Sequence, residues 1–313
     1  MKNKVYVISL SPSIDYILKF DNLIKDQTNR PTYVEMYPAG KGIHVSMMLN
    51  NLGMKNESIV FSSGEFENYF YKGLNDLKIN YKKFQSNGNI RVNLKLIDQN
   101  QTECSVKSPS ISNLELEKMF SYLKENVNED DYIIATGSIP ENVNEDIYSK
   151  ICSLANKLKA NFVVDSFGES LLLTLDKKPF LIKPNQNELA LTLKTKISSE
   201  LDCINAAKQL IKMGAKNIIV SLGKNGAMFI NEETIIKASI GNWSNKLINA
   251  AGAGDSMLAG FVNTFIKTND FEKSLIMSII CGSATAFTNK IASIELIEEL
   301  SKKKDSIVIT KLK

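Results

Sequence analysis

Asn249-Ala250-Ala251-Gly252-Ala253-Gly254-Asp255-Ser256-Met257-Leu258-Ala259-Gly260-Phe261 opens in small residues and runs into an apolar pattern. Met257, Leu258, Phe261, Val262 and Phe265 recur at helical spacing, which predicts a helix starting near Gly254. Gly252 and Gly254 allow a tight turn and leave no Cβ between the backbone and an approaching anion. The first N–H groups of such a helix have no internal partners, and the dipole adds partial positive charge there. Gly252, Ala253 and Gly254 can therefore cradle a phosphate or a developing anion. Asp255 puts a carboxylate in the first turn, placed to take a proton from a neighbouring hydroxyl. Alone, the same residues could be a glycine turn with an Asp near a helix start. The stretch has no third glycine of a dinucleotide fingerprint and no Gly-Lys-Ser/Thr of a P-loop.

Working outward, strand-like runs alternate with helical ones. Strands are expected at Val5–Leu10, Ser58–Phe61, Tyr132–Thr136, Asn161–Asp165, Pro179–Lys183 and Asn217–Leu222. Helices are expected at Ile43–Leu52, Leu114–Lys124, Asp146–Leu158 and Cys203–Met213. This alternation is the mark of an α/β fold with a doubly wound, mostly parallel sheet flanked by helices. Two other segments read differently. Tyr16, Leu18 and Phe20, then Thr32, Val34 and Met36, alternate like strands; so do Ile90, Val92, Leu94 and Leu96 against Arg91, Asn93 and Lys95. A second, small sheet is expected from about 14–37 and 88–108, in a single domain spanning 1–313.

With 313 residues, 43% of them hydrophobic and 23% charged, the chain can bury a large core. The formal net charge of +4 is spread evenly, without a basic block, so nucleic acid is not an expected partner. No run is long enough to span a bilayer, and Met1 to Leu10 reads as a first strand, not a signal peptide. Cys104, Cys152, Cys203 and Cys281 lie far apart without metal spacing, which suits a cytoplasmic protein. The basic residues are almost all lysine; Arg30 and Arg91 are the only arginines, and both fall in the small-sheet segments. A planar fork gripping a phosphate is a place where Lys does not substitute for Arg.

Polar clusters follow several strands, where α/β sheets bind ligands. Asp15 follows the first and can accept hydrogen bonds from sugar hydroxyls, or simply brace a turn. Pro38-Ala39-Gly40-Lys41-Gly42 enters a second helix, in whose first turn His44, the only histidine, could reach a ligand; a lone histidine more commonly packs or caps. Thr136-Gly137-Ser138-Ile139-Pro140 offers hydroxyls and N–H groups to a sugar. After Lys183-Pro184, Asn185 and Glu188 share one helical face, able to close a capping box and to serve Mg²⁺ as oxygen ligands. Ser221-Leu222-Gly223-Lys224-Asn225-Gly226 allows close backbone approach, or a plain hairpin turn.

Together these residues resemble the ribokinase-like (PfkB) family of carbohydrate kinases over nearly the whole chain. Gly252-Ala253-Gly254-Asp255-Ser256 matches its C-terminal signature, Asn185-x-x-Glu188 its Mg²⁺-associated motif, and Pro38-Ala39-Gly40-Lys41-Gly42-Ile43 its N-terminal glycine signature. Ser13-Ile14-Asp15-Tyr16, Asn29-Arg30, Ile90-Arg91-Val92-Asn93, Thr102-Glu103 and Gly137-Ser138-Ile139-Pro140 are similar to its sugar-phosphate kinase branch, as is Ile182-Lys183-Pro184-Asn185. The resemblance implies an ATP-dependent kinase that adds a second phosphate to a ketose monophosphate. Fructose 1-phosphate is the first expectation and tagatose 6-phosphate the alternative; a sensor that binds sugar phosphate with little catalysis is the rival.

By that resemblance Asp255 is the base, and Gly252, Ala253 and Gly254 form the anion hole. Asp15, Arg30, Gly40, Lys41, His44, Arg91 and Ser138 meet the sugar phosphate. Lys183, Asn185, Ser221, Gly223 and Gly226 meet ATP, and Asn185 with Glu188 helps hold Mg²⁺. The small sheet is expected to act as a lid and, by resemblance, as the contact of a homodimer. Departures from the family pattern are Ala39 for a glycine, His44 and Ser11 for Asn, Ala250 for Thr or Ser, and a reduced turn at Ser62-Ser63-Gly64.

Overall fold

Val5–Ser9, buried at every position, forms the central strand β1 of a computed structural model that describes residues 3–313. Met1 and Lys2, part of the segment expected to lead into this strand, lie outside the described residues. The chain continues through β2 (Ser13–Lys19), β3 (Tyr33–Ala39), α1 (Lys41–Asn51), β4 (Asn56–Ser62), α2 (Glu67–Asp76) and β5 (Tyr81–Gln85). Next come β6 (Arg91–Ile97), β7 (Gln101–Cys104) and α3 (Asn113–Asn126). A regular alternation follows: β8 (Tyr132–Thr136), α4 (Ile147–Lys157), β9 (Asn161–Asp165), α5 (Glu169–Leu175), β10 (Leu181–Ile182), α6 (Gln186–Leu193), α7 (Glu200–Lys212) and β11 (Ile218–Ser221). The last part holds β12 (Ala227–Ile230), β13 (Ile235–Ala238), α8 (Ala253–Thr268), α9 (Phe271–Ala286), α10 (Ile294–Ser301) and β14 (Ile309–Lys311).

The main sheet has ten strands in the order β14-β13-β12-β11-β10-β9-β8-β1-β4-β5. From β11 to β5 the pairing is parallel; β12, β13 and β14 close one edge antiparallel. Alternate residues of β1 feed opposite faces, as the period of two requires. Tyr6 and Ile8 enter the core that includes residues of α3, α4 and α7; Val5 and Val7 enter the core built with α1, α8 and α9. The expected doubly wound α/β architecture is thus what forms. The order in which strands are added reverses at β1: β4 and β5 lie to one side, β8 to β11 to the other. Such a reversal opens a crevice beyond the carboxyl ends of the strands.

The small sheet has the order β3-β2-β6-β7. β2 and β6 run parallel in the register Ser13↔Arg91, Asp15↔Asn93, Ile17↔Lys95. Ser13, Asp15, Arg91, Asn93 and Lys95 therefore alternate onto one polar face. From the other face Ile14 enters a separate apolar cluster with Ile43, Phe70 and Leu74. Asp15 belongs to β2 and not to the edge of the main sheet, so the small sheet carries it over the crevice.

Some boundaries move for identifiable reasons. α1 begins at Lys41, two residues before the expected Ile43, because Gly40 takes φ 107° and turns the chain directly into the helix. The strand expected over Pro179–Lys183 shrinks to Leu181–Ile182; prolines at 179 and 184 supply no N–H to a ladder. No helix among the described residues is long and apolar enough to cross a membrane.

Candidate active site

α8 fixes the centre of the site. Its N-cap, Gly252, takes the left-handed conformation at φ 79°, and no side chain caps the helix. Ala253 N–H donates to Ala250 O at 3.2 Å, and the other early N–H groups of the turn, Gly254 among them, are left for a ligand. Phe261 and Phe265 anchor the helix: Phe261 stacks on Phe229 at 5.7 Å and Phe265 on Phe271 at 4.8 Å between ring centroids. Burying each such ring is worth roughly 1.5–3 kcal/mol, enough to hold the helix end in place. A Cβ at Gly252 would come within 2.7 Å of Ile291 Cδ1 and would strain the positive φ. Gly252→Ala is accordingly expected to lose about 1–2 kcal/mol of stability, measurable as a lower denaturation midpoint.

Asp255 is 5% exposed, and its Oδ2 lies 2.9 Å from His44 Nδ1. His44 reaches it from α1, so the two glycine-entered helices meet through these side chains. A Cβ at Gly254 would sit 3.2 Å from Lys183 Nζ, so that ammonium lies directly against the opening turn of α8. Helix terminus and cation together make a strong anion site.

Lys183 follows β10 and pairs with Asp165 Oδ1 at 3.4 Å; Lys41 Nζ lies 3.6 Å from Asp165 Oδ2 and 3.9 Å from Glu188 Oε1. Thr136 Oγ1 donates to Asp165 Oδ2 at 3.3 Å. Burial alone would raise the Asp165 pKa, but Lys183, Lys41 and the hydrogen bonds outweigh it and hold the carboxyl below its usual range. Chiefly through Asp165, and against burial, Lys41 is held above the ordinary lysine value. Asp165 ends β9, one of the strands legible in the sequence, yet the sequence reading did not single it out. Its place at a carboxyl end beside the reversal was the available signal.

Asp15 is 4% exposed. Its Oδ1 accepts from Ser13 Oγ and Asn93 Nδ2, each at 3.2 Å, and its Oδ2 pairs with Lys95 Nζ at 2.8 Å. Lys95 was read only as a polar position of an alternating strand. The register places it one strand residue pair beyond Asp15, within diagonal reach.

Arg91 is different from the other cations. Its Nη2 donates to Ser11 O at 2.9 Å, Nη1 to Val106 O at 3.2 Å, and Nε to Pro12 O at 3.4 Å. Burial lowers its pKa. Lys41, Lys95 and Lys183 each have a carboxylate within 4.0 Å; among the described residues Arg91 has none. The guanidinium is braced by neutral carbonyls, and its charge is not cancelled. Arg30 is not brought to it. It is exposed on the β2–β3 loop and lines no cavity of the site, because Asn29 folds that loop back locally, bonding Ile24 N and O.

Three connected cavities result. The central one, about 530 Å³, is lined by Asp15, Gly40, Lys41, His44, Arg91, Lys183 and Asp255. A wider one of about 730 Å³ shares Lys41, Arg91 and Asp165 with it and adds Ser138. A third, about 470 Å³, shares Asn185, Ser221 and Gly254 with the centre and runs past Gly223 and Gly226 to Ile240, Leu247 and Phe287. Its apolar walls beyond a polar entrance suit a flat heterocycle.

Asn185 and Glu188 close the capping box of α6: Asn185 Oδ1 accepts from Glu188 N and Glu188 Oε2 from Asn185 N, both at 2.9 Å. Asn185 Oδ1 is therefore engaged first as a cap. Glu188 Oε1 takes no part in the box, and Asp165 Oδ1 is buried with only the 3.4 Å ion pair to Lys183. One or two carboxylate oxygens beside a phosphate site fit Mg²⁺, which takes its remaining ligands from water and phosphate. Among the described residues there is no cluster of three or more side chains of the kind that holds a metal unaided.

The pattern of pfkB family carbohydrate kinases matches residues 2–293. The chain belongs to the pfkB family. The 1-phosphofructokinase of Bacillus subtilis is 32% identical over 296 residues, 95% of this chain and 97% of that protein. The D-tagatose-1-phosphate kinase of Bacillus licheniformis is 28% identical, over 94% of this chain and 96% of its own. Phosphofructokinase-2 of Escherichia coli shares the fold at 23% identity. Its crystal structure with fructose-6-phosphate gives a TM-score of 0.88, and its tetrameric inhibited form 0.89; each match covers 97% of this chain and 99% of that one. The chain is a sugar-phosphate kinase of this family, as the sequence motifs implied.

Proposed function

We propose that this pfkB kinase is a 1-phosphofructokinase, transferring the γ-phosphoryl group of ATP to the 6-hydroxyl of fructose 1-phosphate. ATP is the donor in this family. Arg91 carries the proposal. A guanidinium without a carboxylate partner, aimed between the central and wider cavities, calls for a ligand that already bears an anion. A free sugar would leave that charge unanswered. Ser138 and Lys41 stand beside Arg91 for the same phosphate.

With the phosphate at that end, the sugar lies across Asp15, whose fixed carboxylate accepts from its hydroxyls. The far hydroxyl then meets Asp255. Its Oδ2 is occupied by His44, which leaves Oδ1 to take the hydroxyl proton. The freed alkoxide oxygen forms the new O–P bond as the bond to ADP breaks. The Gly252-Ala253-Gly254 turn, with the Gly254 N–H free and Ala253 N–H to be released from Ala250 O, meets the charge on the migrating group together with Lys183. ATP enters along Ser221, Gly223 and Gly226 with its base in the apolar cavity. Glu188 and Asn185, with Asp165 behind, would hold Mg²⁺, which would supply neutralisation of phosphate charge. The small sheet closes over the sugar as a lid and keeps out water, the competing acceptor.

The partner is a small sugar phosphate in the cytoplasm, without nucleic acid or membrane. A homodimer through the lid is part of the proposal, supported by Ile24, Tyr33, Val34 and Val106 lying exposed on the small sheet and its loops.

ADP release measured over fructose 1-phosphate, tagatose 6-phosphate, fructose 6-phosphate, fructose and ribose tests the proposal. The highest kcat/KM is expected for fructose 1-phosphate; a preference for fructose or ribose refutes it. Arg91→Ala should raise KM for fructose 1-phosphate by at least about 100-fold, the lower end of what two charge-assisted hydrogen bonds are worth, with a much smaller effect on fructose.

A further inference from the structure

His44 is the only histidine of the chain, and it bonds the residue assigned as base. The side chains of His44 and Asp255 are 12% and 7% exposed, so water competes little for the contact. The ring packs against the opening turn of α8: a Cβ at position 252 would lie 3.4 Å from Nδ1, in van der Waals contact.

We infer that His44 is the positioning residue of Asp255. Its Nδ1–H donates to Oδ2, locks the carboxylate rotamer, and so presents Oδ1 to the sugar hydroxyl. This rests on Asp255 being the base. It differs from a role for His44 Nδ1 in binding substrate, because that nitrogen is already committed to Asp255.

Asp255 of α8 is the only carboxylate within 4.0 Å of a ring nitrogen among the described residues. Lys41, one turn earlier on α1, lies near Asp165 and Glu188. Tyr37 of β3 and Lys290, beyond α9, line a small cavity of about 120 Å³ with the ring. Burial, then Asp15 and Glu35, keep the Tyr37 phenol protonated, and Lys290 is paired with Glu35. Across the central cavity the charged groups are Asp15 with Lys95, Lys183 with Asp165, the unpaired Arg91, and Glu103. Protonation of the ring would keep the hydrogen bond but set a full positive charge beside the carboxylate, making it a weaker base. The rate of the chemical step is therefore coupled to the state of this one imidazole.

The test uses ¹⁵N-labelled full-length protein, in which a single histidine gives a single imidazole signal set. In the wild type the neutral ring should carry its proton on Nδ1, and Asp255→Asn should abolish that preference. In the kinase assay His44→Ala should lower kcat about 10–100-fold, the size of one lost charge-assisted hydrogen bond, with KM for fructose 1-phosphate changed less than about threefold. His44→Asn, whose amide can donate from the place of Nδ1, should recover kcat to within about fivefold. Wild-type kcat should fall as the imidazole signals report protonation, and the fall should be missing in His44→Asn.

A neutral ring protonated on Nε2 overturns the inference. So does a His44→Ala variant with normal kcat and raised KM, or a His44→Asn pH profile that superimposes on the wild type. If Asp255→Ala itself keeps kcat, the base assignment fails instead, and the tautomer measurement still reports on the pair.

Discussion

Asp255→Ala is expected to lower kcat by 10²–10⁴-fold, the usual range of a general-base contribution, while fructose 1-phosphate still binds. The two parts of this expectation have separate origins. In the proposed mechanism, binding rests on Arg91, Asp15, Lys41 and Ser138, none of which bonds Asp255. The proposed chemical step needs a proton acceptor at the helix start, and Asp255 puts a carboxylate there, in the first turn of α8. Alanine suits a helix and the site is buried, so the fold should survive. Rapid-quench measurement of phosphoryl transfer alongside calorimetric binding separates the terms. A kcat within tenfold of wild type rules out Asp255 as base, and lost sugar-phosphate binding rules out the division of labour.

Asp165→Asn is expected to destabilise the protein by about 3–5 kcal/mol at neutral pH, since it leaves a buried cation unpaired. Lys183 is 4% exposed, and its carboxylate partner within 4.0 Å is Asp165. Lys41 would keep only the longer contact to Glu188. The pH dependence has a definite sign. The folded-state pKa of Asp165 is depressed, so its stabilisation is fully present above the ordinary carboxylate pKa of about 4 and fades as pH falls below it. Denaturant midpoints of wild type and Asp165→Asn should differ most at neutral pH and converge below about pH 4. A constant gap across that range contradicts the pairing.

β8 and β9 run over Tyr132–Thr136 and Asn161–Asp165, the bounds their apolar runs suggest, because central parallel strands are buried on both faces and leave little ambiguity. The antiparallel edge was much less visible. Ile307-Val308-Ile309 reads as an apolar tail, but Ile309–Lys311 is a strand that completes the main sheet beside β13. That pairing joins residues about seventy positions apart, beyond any local pattern. At the site, residues that follow strands or open helices are marked by spacing and residue type: Asp15, Lys41, Lys183, Asn185 and Asp255. Asp165 and Lys95 are not, because their importance lies in partners that folding supplies. His44 illustrates the difference. As a lone histidine it could pack, cap or reach a ligand, and only the crossing of α1 with α8 gives it Asp255. Arg30 shows the converse, since a distinctive residue type on the expected small sheet ends on an exposed loop away from the cavities.

A crystal structure of the enzyme with fructose 1-phosphate and a non-hydrolysable ATP analogue measures the decisive distance. The sugar's phosphate should lie on Arg91 and its 6-hydroxyl about 3 Å from Asp255 Oδ1, in line with the terminal phosphorus at the opening turn of α8. A ternary complex in which no sugar hydroxyl comes within hydrogen-bond reach of Asp255 would contradict the account.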